Sequence, residues 1–212
     1  MLAHTGNAAK LDQEAAAPNP PEPILATEPD PVAQYWERRK DSIYIFTAQR
    51  ICRMFCPEPR SVLDVGSNGT PTLEWHRPSA TRLVSLDLRR PYLAPGVEAV
   101  RSDFLEFSPE SKFDLVTCFQ VLEHLRKPTL FAQKLLELSS VCVVSVPYKW
   151  PKGKCKGHVQ DPVDVEKMLA WFGREPDYQY VANELHGIND RPGVGRRLIH
   201  VYANEPTAPE SS

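Results

Sequence analysis

The sequence predicts an α/β fold, a doubly wound and mostly parallel seven-stranded sheet with an antiparallel hairpin at its C-terminal edge. Three observations predict it. Short apolar runs alternate with stretches in which apolar residues recur every three or four positions. That alternation places helices on the faces of a parallel sheet, joined by right-handed crossovers. Several runs end in an aspartate or precede one, and ligands of such sheets bind outside the carboxyl ends of the strands. The last two runs are separated only by a loop, which implies antiparallel pairing.

Helical periodicity begins at residue 32. Tyr44, Ala48, Ile51, Cys52 and Phe55 form one apolar stripe, and Pro57 and Pro59 end it. Arg60–Asp64, Thr81–Asp87, Val97–Arg101 and Phe113–Cys118 read as four strands. Pro128 opens a helix with Leu125, Phe131, Leu135 and Leu138 on one face. Val141–Pro147 is almost continuously apolar, as a strand covered on both faces should be. A helix over Val163–Phe172 and strands over Tyr178–Leu185 and Arg197–Tyr202 complete the set.

Composition bounds the rest. The chain has 212 residues, 42% hydrophobic and 25% charged, which excludes full disorder and suits one domain. Its 21 prolines are about twice average usage and cluster at the N-terminus. Residues 1–31 carry six prolines and one lysine against five acids, and read as a disordered tail. Residues 205–212 read the same way, which leaves a folded domain over 32–204 with a formal charge of +4. The whole chain, at −2, gives little reason to expect nucleic acid as a partner. No apolar run approaches the ~18 residues of a membrane span, and no apolar core marks a secretory leader. Five cysteines without a Cys-x-x-Cys pair argue against a disulfide framework and fit a reducing, cytoplasmic setting.

The unusual residues gather at the strand ends. After the first strand comes Asp64-Val-Gly66-Ser67-Asn68-Gly69-Thr70, where glycine lets the backbone pass close under a ligand. Asp87 ends the second strand, placed to accept hydrogen bonds from two ribose hydroxyls. Asp103-Phe104 follows the third, pairing a carboxylate for an exocyclic amine with a ring for a base face. Ordinary turn chemistry also favours Asp and Asn at such places.

On these motifs the chain resembles the class I S-adenosylmethionine-dependent methyltransferases, which have a Rossmann-like fold. Val62-Leu-Asp-Val-Gly-Ser-Asn-Gly-Thr70, Leu83-Val-Ser-Leu-Asp87, Arg101-Ser-Asp-Phe104 and the stretch from Phe113 to Leu125 match the family's first four motifs in order. The resemblance implies that Asp64, Gly66, Ser67, Asn68 and Gly69 lie under the methionine moiety of S-adenosyl-L-methionine. It implies that Asp87, with Leu88 beside it, holds the ribose, and that Asp103 and Phe104 hold the adenine. Phe119 and Gln120 would line the cofactor's far side. One departure stands out: the family's Gly-x-Gly-x-Gly becomes Gly66-Ser-Asn68-Gly-Thr70, which predicts an altered loop path.

The implied activity is methyl transfer to an oxygen or nitrogen of a small molecule. His124 and His158 are the candidate bases, because an imidazole titrates near working pH; His186 and His200 read as packing residues. Tyr35, Trp36 and Tyr44 would lid the site, and Tyr148 and Trp150 would wall the acceptor pocket. The glycine-rich basic stretch 187–197 reads as a hairpin connection, or as a seat for an anionic acceptor. Glu123-His124 invites a metal reading by resemblance to the small-RNA 3′-terminal methyltransferases. Gln120, however, replaces one carboxylate of that pattern, and hard cations select charged oxygens. No metal is expected, and Cys155 with His158 is too sparse for zinc. An RNA methyltransferase is the alternative enzyme, with Lys149–Lys156 as its basic patch. A non-catalytic cofactor-binding module is the alternative of another class.

Overall fold

The computed structural model describes residues 30–184 and 195–204. Residues 1–29 of the expected tail 1–31, the expected tail 205–212, His186 and most of the stretch 187–197 lie outside the described residues. Helix α1 spans Pro31–Glu37, with proline in its first turn and the Asp30 carboxylate accepting from Val32 N. It begins one residue before the expected domain start. Helix α2 (Ile43–Phe55) is capped by Ser42, whose hydroxyl accepts from Ile45 N. It buries Tyr44, Ala48, Ile51 and Cys52, four of the five residues of the expected stripe.

Strands β1 (Ser61–Val65), β2 (Arg82–Asp87), β3 (Val97–Arg101), β4 (Phe113–Phe119) and β5 (Ser139–Pro147) pair in parallel in the order β3-β2-β1-β4-β5. Helix α3 (Pro128–Glu137) precedes β5. Helix α4 (Val165–Phe172), strand β6 (Tyr178–Asn183) and strand β7 (Arg196–Ala203) follow it. The seventh strand inserts antiparallel between β5 and β6, so β6 forms the edge. The expected α/β class and C-terminal hairpin are therefore present, with the final strand inside the sheet. Helix α4 starts at Val165 rather than Val163, because the Asp164 carboxylate caps it by accepting from Lys167 N.

Strand alternation divides the core between the two sheet faces. Val62, Leu83, Leu115 and Val143 pack with the α2 stripe. Leu63, Val84, Val116 and Val144 pack with Phe131, Leu135, Met168 and Phe172 of α3 and α4. The early crossovers differ from the expected alternation. Between β1 and β2 stands only a 3₁₀ turn, Thr72–His76, and no helix separates β2, β3 and β4. Pro91 and Pro95 in the first of these connections break any helical stripe. All five cysteines are free thiols. Among the described residues, no helix is long and apolar enough to cross a membrane.

Candidate active site

The turn after β1 is built by its backbone. Gly66 has φ +75°, and a Cβ there would overlap a γ-methyl of Val121. Asn68 takes φ +47° and Gly69 φ +74°. Asparagine is among the few residues that tolerate the left-handed region, so the substituted position still bends as a glycine would. Thr70 closes the turn by donating from both its N–H and its hydroxyl to Ser67 O, at 2.9 and 2.7 Å. Below, the Asp64 carboxylate accepts from the hydroxyls of Thr72 and Thr117. Burial pushes its carboxyl up to about 6, against the pull of the two hydroxyls.

Asp87 ends β2 and braces the same turn. Its carboxylate accepts from Asn68 N at 2.9 Å, and from Arg89 N and Arg90 N at 2.7 and 2.8 Å. Leu88 beside it is 61% exposed. Asp103 is exposed after β3 and accepts from Leu105 N at 2.9 Å. Phe104 is placed otherwise than expected. It is 2% exposed and packs in the core with its centroid 4.5 Å from that of Phe131. An aromatic after a polar turn serves a core as well as a base, and here the core cluster beside α3 takes it. It offers no face to an adenine.

Opposite the glycine turn, β4 ends in Phe119, and Gln120 follows it. Gln120 has φ +59°, and its side-chain amide donates to Ser145 Oγ at 3.2 Å. That hydroxyl also shares a 2.6 Å hydrogen bond with the buried Tyr44 hydroxyl. A 3₁₀ turn, Leu122–His124, then brings two titratable groups inward. Glu123 is 0% exposed, and neither carboxylate oxygen has a hydrogen-bond partner. Burial pushes its carboxyl up to about 8. His124 sets Nδ1 3.0 Å from Gly157 O, and desolvation lowers its basicity. His158 arrives from the loop after β5, with Nδ1 2.8 Å from the buried Asp161 Oδ2. The Nε2 atoms of both histidines lie 4.0 Å from Glu123 Oε1.

These parts enclose one cavity of about 420 Å³. Of the expected cofactor residues, Asp64, Gly66, Ser67, Asn68, Phe119 and Gln120 line it. Both expected bases line it too. Gly69, Asp87, Leu88 and Asp103 stand outside the lining, although Asp87 touches it through Asn68 N. Tyr35 and Trp36 of α1 close one side, and Tyr44 forms part of the wall. Trp150 lines the cavity while Tyr148 packs against the core. Sequence reasoning did not single out Arg39 or Asp161, and took Lys154 and Lys156 only as part of the basic patch Lys149–Lys156. Arg197, expected at the junction of the basic stretch and the last strand but given no role in the site, lies on β7, 2% exposed, with its guanidinium 4.3 Å over the Trp150 ring and 5.8 Å over that of Tyr44. The signal for it was the alternation of β7, which points it inward. His200 is buried in the sheet with ring nitrogens 3.0 Å from Tyr202 Oη and from Gln179 Oε1, as its packing reading implies.

The site is thus a cleft at the carboxyl ends of the parallel strands of an α/β domain, floored by a glycine turn and walled by titratable side chains. Residues 35–177 match the methyltransferase-domain family, and the chain belongs to that family. No curated protein matches the chain. Among solved structures it resembles the N-methyltransferase NodS from Bradyrhizobium japonicum WM9 in complex with S-adenosylhomocysteine. That likeness has a TM-score of 0.59 and 15% identity over 81% of this chain and 92% of the other. It also resembles the 1,6-didemethyltoxoflavin-N1-methyltransferase of Burkholderia thailandensis, bound to its acceptor and S-adenosylhomocysteine. There the TM-score is 0.57, with 16% identity over 82% and 85% of the two chains. The plantazolicin methyltransferase BpumL gives a TM-score of 0.55 and 12% identity over 82% and 89%.

Proposed function

We propose that this chain is an S-adenosyl-L-methionine-dependent methyltransferase acting on an oxygen or nitrogen of a small molecule. The observation that carries the reading is the shared cavity. The Gly66–Thr70 turn and the Glu123, His124 and His158 side chains face one space of about 420 Å³. The methionine part of the cofactor lies over Gly66, where any Cβ would collide with Val121. The ribose meets Asp87, whose carboxylate has acceptor capacity beyond its three backbone donors. The adenine runs along Leu88 and Asp103 at the rim.

The acceptor enters on the side of Trp36, Trp150 and the cations Arg39, Lys154, Lys156 and Arg197. This lining suits a flat molecule with an acidic group. The cofactor supplies a methyl group on a sulfonium sulfur, whose bond to the methyl carbon breaks as the acceptor's lone pair attacks in line. The chain positions the acceptor and excludes water, which is worth several kcal/mol of barrier. The acceptor's proton passes to a Nε2 of His124 or His158, since each Nδ1 is held by an oxygen that only accepts. Titration calorimetry with S-adenosylmethionine and S-adenosylhomocysteine, followed by a labelled-methyl screen of small acids, tests the reading. One-to-one binding and a labelled small product support it. No binding of either ligand contradicts it.

A further inference from the structure

We infer that Gln120 holds a hydrogen of the acceptor's attacking atom, and that this atom is the nitrogen of a primary amine, which leaves carrying one methyl group. The inference rests on the proposed function and narrows it from oxygen or nitrogen to one class of nucleophile. Three observations carry it. The first is the backbone just past β4. Gln120 takes φ +59°, a region that glycine enters freely, asparagine tolerates and a longer side chain occupies only under strain. Such strain persists where the surroundings impose it, and it gathers at binding sites. The bend lets the next residue, Val121, pack over Gly66, and Glu123 and His124 follow it into the cavity wall. Glycine would make the same bend without strain, so the bend does not account for the glutamine side chain.

The second observation is how that side chain is held. Gln120 N donates to Ser145 O at 2.9 Å, and Gln120 Nε2 donates to Ser145 Oγ at 3.2 Å. Ser145 is fully buried, and its hydroxyl also shares a 2.6 Å hydrogen bond with the Tyr44 hydroxyl. Strand β5 and helix α2 thus fix the nitrogen end of the amide. The amide oxygen, which only accepts, meets no donor among the described residues. Gln120 lines the cavity, where a ligand can supply that donor. A few polar groups held in this way are what orient a ligand in a mostly apolar site.

The third observation is the hydrogen count. Gln120 and the two candidate bases, His124 and His158, line the same cavity. A hydroxyl has one hydrogen, which goes either to the base or to Gln120. A primary amine has two and serves both. One hydrogen stays on Gln120 Oε1 and orients the nitrogen toward the methyl carbon. As the bond from nitrogen to carbon forms, the bond from sulfur to carbon breaks and its electron pair stays on sulfur. The other hydrogen then leaves the nitrogen as a proton and goes to an imidazole Nε2. The product is a secondary amine with a single hydrogen. It no longer satisfies both groups, so transfer stops at one methyl.

The test uses the full chain and two ligands that need no acceptor. One is S-adenosylhomocysteine. The other is sinefungin, in which a carbon bearing a primary amine stands in for the sulfur bearing the methyl group. Titration calorimetry gives both affinities for the wild type, Gln120→Leu and Gln120→Gly. The glycine variant fits the bend without strain, so the comparison survives if the leucine variant fails to fold. The wild type should prefer sinefungin. Each variant should lose about 10–150-fold of that preference, the range for a hydrogen bond to a charged group, while S-adenosylhomocysteine binds as to the wild type. An unchanged preference overturns the inference. So does an equal loss for both ligands, which would make Gln120 a wall of the cofactor site, and so does a preference that rises, which would turn the amide nitrogen to the cavity. Binding of neither ligand to the wild type contradicts the proposed function itself and the inference with it. In the labelled-methyl screen, a monomethylated amine supports the inference, and a dimethylated amine or a methyl ether overturns it.

Discussion

Gly66→Ala perturbs the point where the two halves of the cleft meet. Two costs follow from the structure. The backbone sits at φ +75°, where an L-residue loses roughly 1–2 kcal/mol. The added methyl would overlap one γ-methyl of Val121 and touch the other at 3.4 Å, and overpacking of this kind costs about 1–3 kcal/mol. Together they amount to about 2–5 kcal/mol, within the stability of an ordinary domain, so the variant should fold but melt early. Urea denaturation followed by tryptophan fluorescence measures the loss. Val121→Ala in the same chain should recover about 1–3 kcal/mol as a coupling energy in a double-mutant cycle. The backbone share should remain. A Gly66→Ala variant with wild-type midpoint, or a coupling of zero, would refute the close approach on which the cleft depends.

Asp87→Ala removes the acceptor of Asn68 N and the proposed ribose partner. It should weaken S-adenosylhomocysteine about 10–150-fold by calorimetry, the range for losing a charged hydrogen bond; unchanged affinity would exclude the ribose role. His124→Ala should keep that affinity near wild type and lower turnover about 10²-fold or more. Full turnover would make His124 structural. His200 is held neutral by burial, its basicity pushed down to about 4 from an ordinary 6.5. The unfolded chain takes up the proton first, so this group's contribution is complete above about pH 6.5 and is lost as pH falls toward 4. Relative to His200→Gln, the wild type should lose up to about 3 kcal/mol between pH 7 and 4 in urea titrations. Asp64 has the opposite sign. Its raised carboxyl favours the fold below about pH 4 and that contribution is lost as pH rises through 6, so Asp64→Asn should tilt the difference curve the other way.

Periodicity made most of the sheet legible. The α2 stripe and the strands β1, β2, β4 and β5 depend on local alternation, and their positions follow within a residue or two. The short crossovers were not legible, because an apolar residue such as Leu73 fits a 3₁₀ turn as well as a helix. Within the site, the glycine turn and Gln120–His124 lie next to recognisable strand ends. Phe104 went elsewhere because it meets Phe131 of α3, a contact between residues distant in sequence. The burial of Glu123 depends on the distant segment after β5, where Val159 N and Gln160 N donate to Glu123 O. Asp161 gains its role only by meeting His158 within that segment. Arg197 depends on β7 inserting beside β5 rather than lying at the edge.

The most direct measurement is a crystal structure of the chain grown with saturating S-adenosylhomocysteine. The account predicts the homocysteine over Gly66, the ribose hydroxyls at Asp87, and the sulfur facing Glu123 and His158 across open space. A cleft that stays vacant, or a ligand turned so that adenine meets His158, would contradict it.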